Sequence, residues 1–376
     1  LAHVARRTPE RDARYLALIE ILFERIASCG VPFAFVPGNH DLPELAHERI
    51  GNLGHALGQF SLTRDLTRSL LAFKSSLLTQ KLLGTNFANP VGLSEGFDKT
   101  ARLMRILPEV GFGYGHIGSI TLQPWAGNSK PRLYRLPEHQ GLIVNYGLMN
   151  KGVEHVLTQL EQLPKNYAFP LSISVASIAR EGCSSVSDRV QEYCDCLTKL
   201  SKQPRVQFLT VNISCPNVVE AGTFLEPANL ASLLSRVCDL RLSKPVLVKM
   251  PADLEWEEFH KLLEVTVRNG ISGVIVSNLT KDTLTKSQLG ISAEKVGGVS
   301  GKILQVRSNY LIGETYRHYG KQLIIIGAGG VFSAEDAYEK IKLGASLVQL
   351  ITGMIYEGPQ LLSLIHISEP TRLRRI

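Results

Sequence analysis

Short apolar segments alternate with amphipathic segments from residue 89 to residue 352. The apolar segments are continuous, as in parallel strands whose outer face is covered, and the segments between them have helical periodicity. Eight strands are predicted, at residues 90–94, 115–121, 171–176, 206–214, 245–250, 273–278, 323–327 and 347–352. Eight strand–helix units predict an α/β fold of the TIM (β/α)8 barrel type, with a doubly wound open sheet as the alternative.

Ahead of the barrel, apolar residues recur at helical spacing over residues 44–82. The spacing predicts a pair of amphipathic helices that form an N-terminal helical cap. In the alternative interpretation, their apolar face contacts lipid or admits a quinone, which would make residues 44–82 a peripheral membrane contact.

The two ends of the chain do not fit the barrel pattern. Residues 31–36 predict a short strand, and the loop Pro37-Gly38-Asn39-His40-Asp41 after it resembles the metal-binding loop of calcineurin-like metallophosphoesterases. Residues 362–376 resemble a translated sequencing adaptor, so the last barrel helix is expected to be missing. The predicted organisation is a metallophosphoesterase-like fragment (1–43), the cap (44–82), the barrel (83–361) and an adaptor-derived tail (362–376).

Composition narrows the class of protein. Hydrophobic residues make up 44% of the 376 residues and charged residues 20%, which predicts a large core. The net charge of +7 comes from scattered basic residues, so no nucleic-acid partner is expected. The six cysteines form no CxxC pair and no apolar run is long enough to span a bilayer. A cytoplasmic location follows as the expectation, with peripheral contact at the inner face of the cell membrane through the cap.

The segment Asn212-Ile213-Ser214-Cys215-Pro216-Asn217 follows the fourth predicted strand. Its amides can hold a planar polar ligand, and the thiol between them can transfer a proton. Lys99 follows the first strand, and Lys249 ends the fifth. A lysine at either position points into the barrel mouth and needs an anionic partner. The seventh and eighth strands run into Gly327-Ala328-Gly329-Gly330 and Thr352-Gly353. Barrels bind phosphate at this position, although a tight turn would also use glycine.

Residues 44–359 resemble the dihydroorotate dehydrogenases, flavin enzymes of pyrimidine biosynthesis. The matching blocks are Asn89-Pro90-Val91-Gly92-Leu93, Gly96-Phe97-Asp98-Lys99, Gly118-Ser119-Ile120-Thr121, Lys130-Pro131-Arg132-Leu133, the segment from Asn212 to Asn217, Gly297-Gly298-Val299-Ser300-Gly301 and Gly344-Ala345-Ser346-Leu347-Val348-Gln349. The cap and Gly353-Met354-Ile355-Tyr356-Glu357-Gly358-Pro359 resemble the class 2 branch, which is membrane-associated and passes electrons to a quinone.

The resemblance implies FMN at the barrel mouth, dihydroorotate as substrate, orotate as product and no metal. The residues implied to bind FMN are Gly96, Lys99, Ser119, Ser174, Asn212, Lys249, Ser277, Gly301, Gly329, Gly330 and Thr352. Those implied to bind the substrate are Lys99, Asn145, Tyr146, Gly147, Asn212, Asn217 and Asn278. Cys215 is implied to take the C5 proton while hydride leaves C6 for the flavin, and Lys249 to stabilise the anionic reduced flavin.

The chain departs from the family pattern at some of these positions. Class 2 members usually have serine at Cys215, and the substrate loop usually begins with asparagine, whereas Val144 stands here and Asn145 follows. Ser174 and Leu279 replace an asparagine and a threonine. A further departure, Glu95, puts a carboxylate beside the flavin, which would disfavour the anionic form unless the side chain turned away.

Two other functional classes stay open at this point. A metal-dependent phosphoesterase would be centred on Asn39 and His40, but the further ligands that such a site needs are not found. In the other class, the chain is an inactive truncated chimera. A barrel without its last helix buries less apolar area, and the free energy lost is comparable to the whole stability of a typical domain.

Overall fold

The computed structural model describes residues 43–373 except residues 216, 219–221 and 293. The metallophosphoesterase-like loop with Asn39 and His40 lies outside the described residues. The strands are β1 (Gln80–Leu82), β2 (Thr85–Phe87), β3 (Val91–Leu93), β4 (Tyr114–Ile120), β5 (Leu133–Leu136), β6 (Gly141–Val144), β7 (Leu171–Val175), β8 (Val206–Asn212), β9 (Val246–Lys249), β10 (Gly273–Val276), β11 (Gly298–Gly301), β12 (Ile324–Ala328) and β13 (Leu347–Leu350).

The α-helices follow the strands in the alternation that the apolar pattern predicts. They are α1 (Pro43–Gln59), α2 (Ser61–Leu71), α3 (Leu107–Val110), α4 (Gly152–Glu161), α5 (Val186–Ser201), α6 (Pro227–Asp239), α7 (Trp256–Arg268), α8 (Thr283–Gln288), α9 (Gln305–Tyr319), α10 (Ala334–Lys342), α11 (Thr352–Glu357) and α12 (Gln360–Leu373). The strands β10-β12-β13-β3-β4-β7-β8-β9 form a closed parallel barrel. The predicted TIM barrel is confirmed, and each of its strands overlaps a predicted one.

Aromatic and aliphatic side chains fill the inside of the barrel. Tyr114 and Phe208 are fully buried there, and Phe87 of the β1–β2 hairpin packs edge-to-face on Tyr114 with ring centroids 5.5 Å apart. The hairpin therefore closes one end of the barrel. Polar residues lie at the opposite end, at the carboxyl ends of the strands, where barrel enzymes have their active sites.

The cap is shorter than predicted. The helices α1 and α2 end at Leu71, and the rest of the predicted range forms a 3₁₀ turn, Ser76–Leu78, and the first hairpin strand. Ser75 begins the 3₁₀ turn as its N-terminal cap, because its hydroxyl accepts a hydrogen bond from the Leu77 N–H. The cap is attached to the barrel by Arg68, whose guanidinium lies 2.6 and 2.8 Å from the two carboxylate oxygens of buried Glu109.

The last barrel helix, expected to be missing, is present as α12, so this part of the prediction was wrong. Leu361, Leu362 and Ile365 lie on one face of α12 and are buried in a cluster that includes Ile106 and Val348. The spacing i, i+1, i+4 is typical of a helix packed on a core. This spacing is enough for the helix to pack on the barrel, whatever the origin of these residues. The boundaries proposed at residues 43 and 361 stay predictions.

His366 gives a test of this packing. Its ring is fully buried on the same face of α12, and neither ring nitrogen has a hydrogen-bond partner among the described residues. An unsatisfied buried polar group costs about 1–3 kcal/mol. We therefore expect His366→Leu to raise the free energy of unfolding by about 1–3 kcal/mol at neutral pH.

The same substitution should have a pH signature. Burial lowers the pKa of His366 to about 4, below the value of about 6.5 in an unfolded chain. Between these two values the unfolded chain binds the proton more readily, so wild-type stability falls as the pH falls from about 6.5 to about 4. Urea unfolding at pH 5 and pH 8 should show a larger gain from His366→Leu at pH 5. An equal gain at both values would show that His366 is solvated.

Candidate active site

A cavity of about 1160 Å³, including its solvent-open part, lies at the carboxyl end of the barrel strands. The predicted site residues that line it are Gly96, Lys99, Ser119, Tyr146, Gly147, Asn212, Cys215, Asn217, Lys249, Ser277, Asn278, Gly301, Gly329, Gly330 and Thr352. Ser174 and Asn145 are the two that do not line it. The fold thus brings residues from distant parts of the chain to one site.

Ser174 contacts a residue that lines the cavity, and Asn145 is connected to one through Asn128. The Ser174 hydroxyl oxygen lies 2.7 Å from that of Ser119. Asn145 accepts a hydrogen bond of 2.9 Å from the Asn128 amide, which also donates to the backbone oxygen of Asn217 at 2.9 Å. Both residues can therefore position their neighbours, whereas direct ligand contact was the expectation for each.

The amides of Asn212 and Asn278 are fixed by hydrogen bonds to neighbouring protein groups. Asn212 stands beside Lys249 in the register of β8 and β9, and its Nδ2 donates to the Ser119 hydroxyl at 2.7 Å. The Asn278 Nδ2 donates to the backbone oxygen of Ser214 at 2.9 Å. This network limits the rotation of both amides, which is the preorganisation that a specific polar site requires.

Asn217 lines the cavity, and its side-chain amide is only partly hydrogen-bonded. Its Nδ2 donates to the backbone oxygen of Val144 at 2.7 Å, while its buried Oδ1 has no partner among the described residues. An unpaired buried carbonyl oxygen costs free energy that a ligand N–H can recover. The amide therefore fits a ligand with a ring N–H.

Cys215 and Lys99 are the reactive groups of the cavity wall. Burial raises the pKa of the Cys215 thiol, and the charges of Lys99 and Lys249 oppose this rise. The net effect of these groups is a thiol pKa above its ordinary value. Burial, with a contribution from Arg132, lowers the pKa of Lys99 to about 8. The Lys99 ammonium lies 4.8 Å from the centre of the Tyr146 ring, and an anionic ligand would stabilise its charge.

Glycines form another, close-fitting part of the cavity wall. A side chain at Gly301 would place its Cβ 2.2 Å from the backbone oxygen of Gln140, and one at Gly330 would place it 2.5 Å from the Gln305 Cβ. Both glycines have positive φ, 117° and 74°. Backbone N–H groups that no side chain covers can approach a phosphate closely, so this wall fits a phosphate group.

Glu95 does not turn away from the cavity. Its Oε1 lies 2.8 Å from Lys249 Nζ and its Oε2 lies 3.2 Å from His116 Nδ1, with all three side chains buried. His116 in turn lies 2.8 Å from the side-chain nitrogen of Gln349. Neither His116 nor Gln349 is among the predicted site residues. The available signal was a large polar side chain within each of two mainly apolar strands.

The cap contributes to the cavity as well. His47 of α1 lines it and packs edge-to-face on Phe97 with ring centroids 4.9 Å apart. Burial, with Lys99 and Arg102, lowers the pKa of His47 to about 4. Helical spacing identified the apolar face of α1 but carried no information on which residue reaches the barrel.

Comparison with known proteins identifies the family. The family model described as "Dihydroorotate dehydrogenase" matches residues 77–370. This chain belongs to the dihydroorotate dehydrogenase family. It is 36% identical over 336 residues to "Dihydroorotate dehydrogenase (quinone)" of Gloeobacter violaceus, covering 89% of this chain and 92% of that protein. A protein of the same name from Deinococcus deserti is 35% identical over 310 residues, covering 80% of this chain and 83% of the relative.

Solved structures agree with this family. Ligand-free DHODH of Eimeria tenella superposes with a TM-score of 0.75 at 26% identity, covering 89% of this chain and 95% of that one. Among the residues that the structure describes, none of the helices combines the length and the hydropathy of a membrane span. The same residues contain no group of three or more His, Cys, Asp or Glu side chains that could hold a metal ion.

Proposed function

We propose that this dihydroorotate dehydrogenase uses FMN to oxidise dihydroorotate to orotate in pyrimidine biosynthesis and passes the electrons to a quinone. One observation carries the proposal: Cys215 lies in the same cavity wall as the preorganised amides and Lys99. The relatives named "Dihydroorotate dehydrogenase (quinone)" support the substrate and the acceptor.

The cavity fits FMN on the evidence of its donors and its glycines. The phosphate would bind at Gly301, Gly329, Gly330 and Thr352. The isoalloxazine would contact Gly96, Lys99, Ser119, Asn212, Lys249 and Ser277, with Ser174 holding Ser119 from behind. When bound, FMN accepts a hydride and so supplies the redox chemistry of the site.

The substrate would bind through charge and amide complementarity. Lys99 offers a cation to the carboxylate of dihydroorotate, and the free Oδ1 of Asn217 can accept a ring N–H. Asn212 and Asn278 hold the other polar edges, and Tyr146 and Gly147 complete the wall. Asn145 would contribute by positioning Asn217 through Asn128.

Cys215 would act as the base. Its thiolate takes the C5 proton onto sulfur as hydride leaves C6, and the C5–C6 double bond of orotate forms. Because burial raises the thiol pKa and the lysines lower it, a lysine charge close to the thiol favours the reactive thiolate. Lys99 would thus serve both the substrate and the base.

Acceptor assays test the quinone assignment. Under anaerobic conditions and with dihydroorotate in excess, the enzyme should reduce a soluble quinone analogue faster than NAD⁺ or fumarate. Turnover with NAD⁺ or fumarate but not with the quinone would contradict the assignment to class 2. It would leave the oxidation of dihydroorotate itself unaffected.

The corner between α1 and α2 exposes apolar side chains that we propose contact the membrane surface. Phe60 is 67% exposed and Leu62 is 78% exposed. The double substitution Phe60→Ser and Leu62→Ser should weaken association with anionic phospholipid vesicles about tenfold or more, since burying each side chain contributes roughly 1.5–3 kcal/mol. Vesicle cosedimentation measures this, while flavin reduction by dihydroorotate should be unchanged.

A matched control for this experiment lies on α9. Val306 is 81% exposed and far along the chain from the cap. Val306→Ser should leave vesicle association unchanged. If it weakens association as much as the double substitution in the cap, membrane contact is not specific to the cap.

A further inference from the structure

A buried carboxylate stands beside the lysine that we assign to the flavin. Glu95 follows β3 and its side chain is 3% exposed. Its Oε1 lies 2.8 Å from the ammonium of Lys249 at the end of β9, and both residues line the cavity. The positive charge of Lys249 at the cavity wall is therefore paired with the Glu95 carboxylate.

His116 and Ser94 lie against the other carboxylate oxygen. Oε2 of Glu95 lies 3.2 Å from His116 Nδ1, which itself lies 2.8 Å from the Gln349 side-chain nitrogen. Ser94 adds a contact of 3.3 Å between its hydroxyl and Oε2. Lys249 on β9, His116 on β4 and Ser94 next to β3 thus surround the carboxylate, and moving it away from Lys249 would cost the buried ammonium its ion pair.

The pair is close to electrically neutral. Burial by itself raises the pKa of Glu95, but Lys249 and His116 bring it down to about 2, so the carboxylate is charged at neutral pH. Burial lowers the pKa of His116, which leaves its ring uncharged at neutral pH. One negative and one positive charge therefore face the cavity together.

We propose that Glu95 is a positioning residue that neutralises Lys249 and thereby keeps the reduction potential of the bound flavin lower than Lys249 alone would set it. The inference rests on the proposed function in one respect, that FMN binds against Lys249. Two-electron reduction makes a flavin more negative. A nearby cation favours the reduced form, and a nearby anion opposes it, with strong effect in a buried site.

A lower potential has a consequence for the two halves of the reaction. It makes the reduced flavin a better donor to the acceptor and the oxidised flavin a weaker oxidant of dihydroorotate. Removing the Glu95 charge should therefore speed flavin reduction by dihydroorotate and slow reoxidation by the quinone. A purely structural role for Glu95 would slow both.

The test is the reduction potential of FMN bound to wild-type protein and to Glu95→Gln, which keeps the size of the side chain and removes its charge. We expect Glu95→Gln to shift the equilibrium toward reduced flavin about tenfold or more, which is a rise of about 30 mV for a two-electron couple. The spectrum of the reduced protein should shift toward that of the anionic reduced flavin. Glu95→Ala, which is also uncharged, should move the potential in the same direction. It replaces Glu95→Gln as the test variant if Glu95→Gln does not bind FMN.

Two variants serve as controls. Glu109→Gln removes another buried carboxylate, paired with Arg68 at 2.6 Å, and should leave the potential unchanged. Glu95→Asp keeps the charge and should stay closer to wild type than Glu95→Gln. A shift in Glu109→Gln as large as that in Glu95→Gln would overturn the inference.

The outcomes separate this inference from the proposed function. If wild-type protein binds FMN and dihydroorotate reduces it, but neither Glu95→Gln nor Glu95→Ala changes the potential, only the inference is contradicted. If wild-type protein binds no FMN, the proposed function is contradicted and the inference with it.

Discussion

Replacing Cys215 with alanine should slow flavin reduction by dihydroorotate by about two orders of magnitude or more and leave the bound FMN in place. The thiol lies in the cavity wall between Asn212 and Asn217, and alanine removes the group that takes the proton while preserving most of the packing against Leu148 and Ile178. Anaerobic stopped-flow absorbance measures the rate constant directly.

Cys238 provides the matched control for this experiment. It is an exposed free cysteine on α6, so Cys238→Ala should leave the rate constant unchanged. Cys215→Ser should retain more activity than Cys215→Ala because a hydroxyl can still accept the proton. Wild-type kinetics in Cys215→Ala would assign the base to another residue.

Replacing Gly330 with alanine should weaken FMN binding about tenfold or more, the effect of losing roughly 1.4 kcal/mol. The new Cβ would lie 2.5 Å from the Gln305 Cβ and 2.8 Å from its backbone nitrogen, so the loop must move. Movement displaces the N–H groups that we assign to the phosphate. The FMN dissociation constant measures the effect, with circular dichroism as the check on folding.

Gly182 separates steric displacement from backbone strain. It has the same φ of 74° as Gly330, but a Cβ there would meet no atom within 4 Å. Gly182→Ala therefore carries a similar backbone penalty, roughly 1–2 kcal/mol, without the collision. Equal losses of FMN affinity in both variants would argue against a phosphate site at Gly330.

Local patterns were sufficient to predict the barrel. Its strands are continuous apolar runs, and a run of this kind is recognisable without its partners. Once the strands close into a barrel, their carboxyl ends converge, which is why Asn212, Cys215 and Lys249 lie together as expected. The confirmed features all depend on short-range sequence or on this one topological rule.

Features that depend on contacts between distant segments were missed. The sheet β11-β6-β5 pairs residues 141–144 with residues 298–301, and its strands are too short to show a period. The contact of Glu95 with His116 likewise requires the register of β3 and β4. The resemblance indicated that Glu95 was unusual but not that it would pair with Lys249. For α12, the apparent origin of the residues misled the prediction, since apolar spacing alone was enough for packing.

The most direct test of the proposed function is the visible absorption spectrum of the purified protein before and after anaerobic addition of dihydroorotate. The proposed function predicts a yellow protein whose flavin band bleaches on mixing, with one orotate formed for each flavin reduced. A yellow protein that does not bleach would contradict the assignment of dihydroorotate as the substrate. A folded protein that stays colourless after incubation with FMN would contradict the flavin site itself.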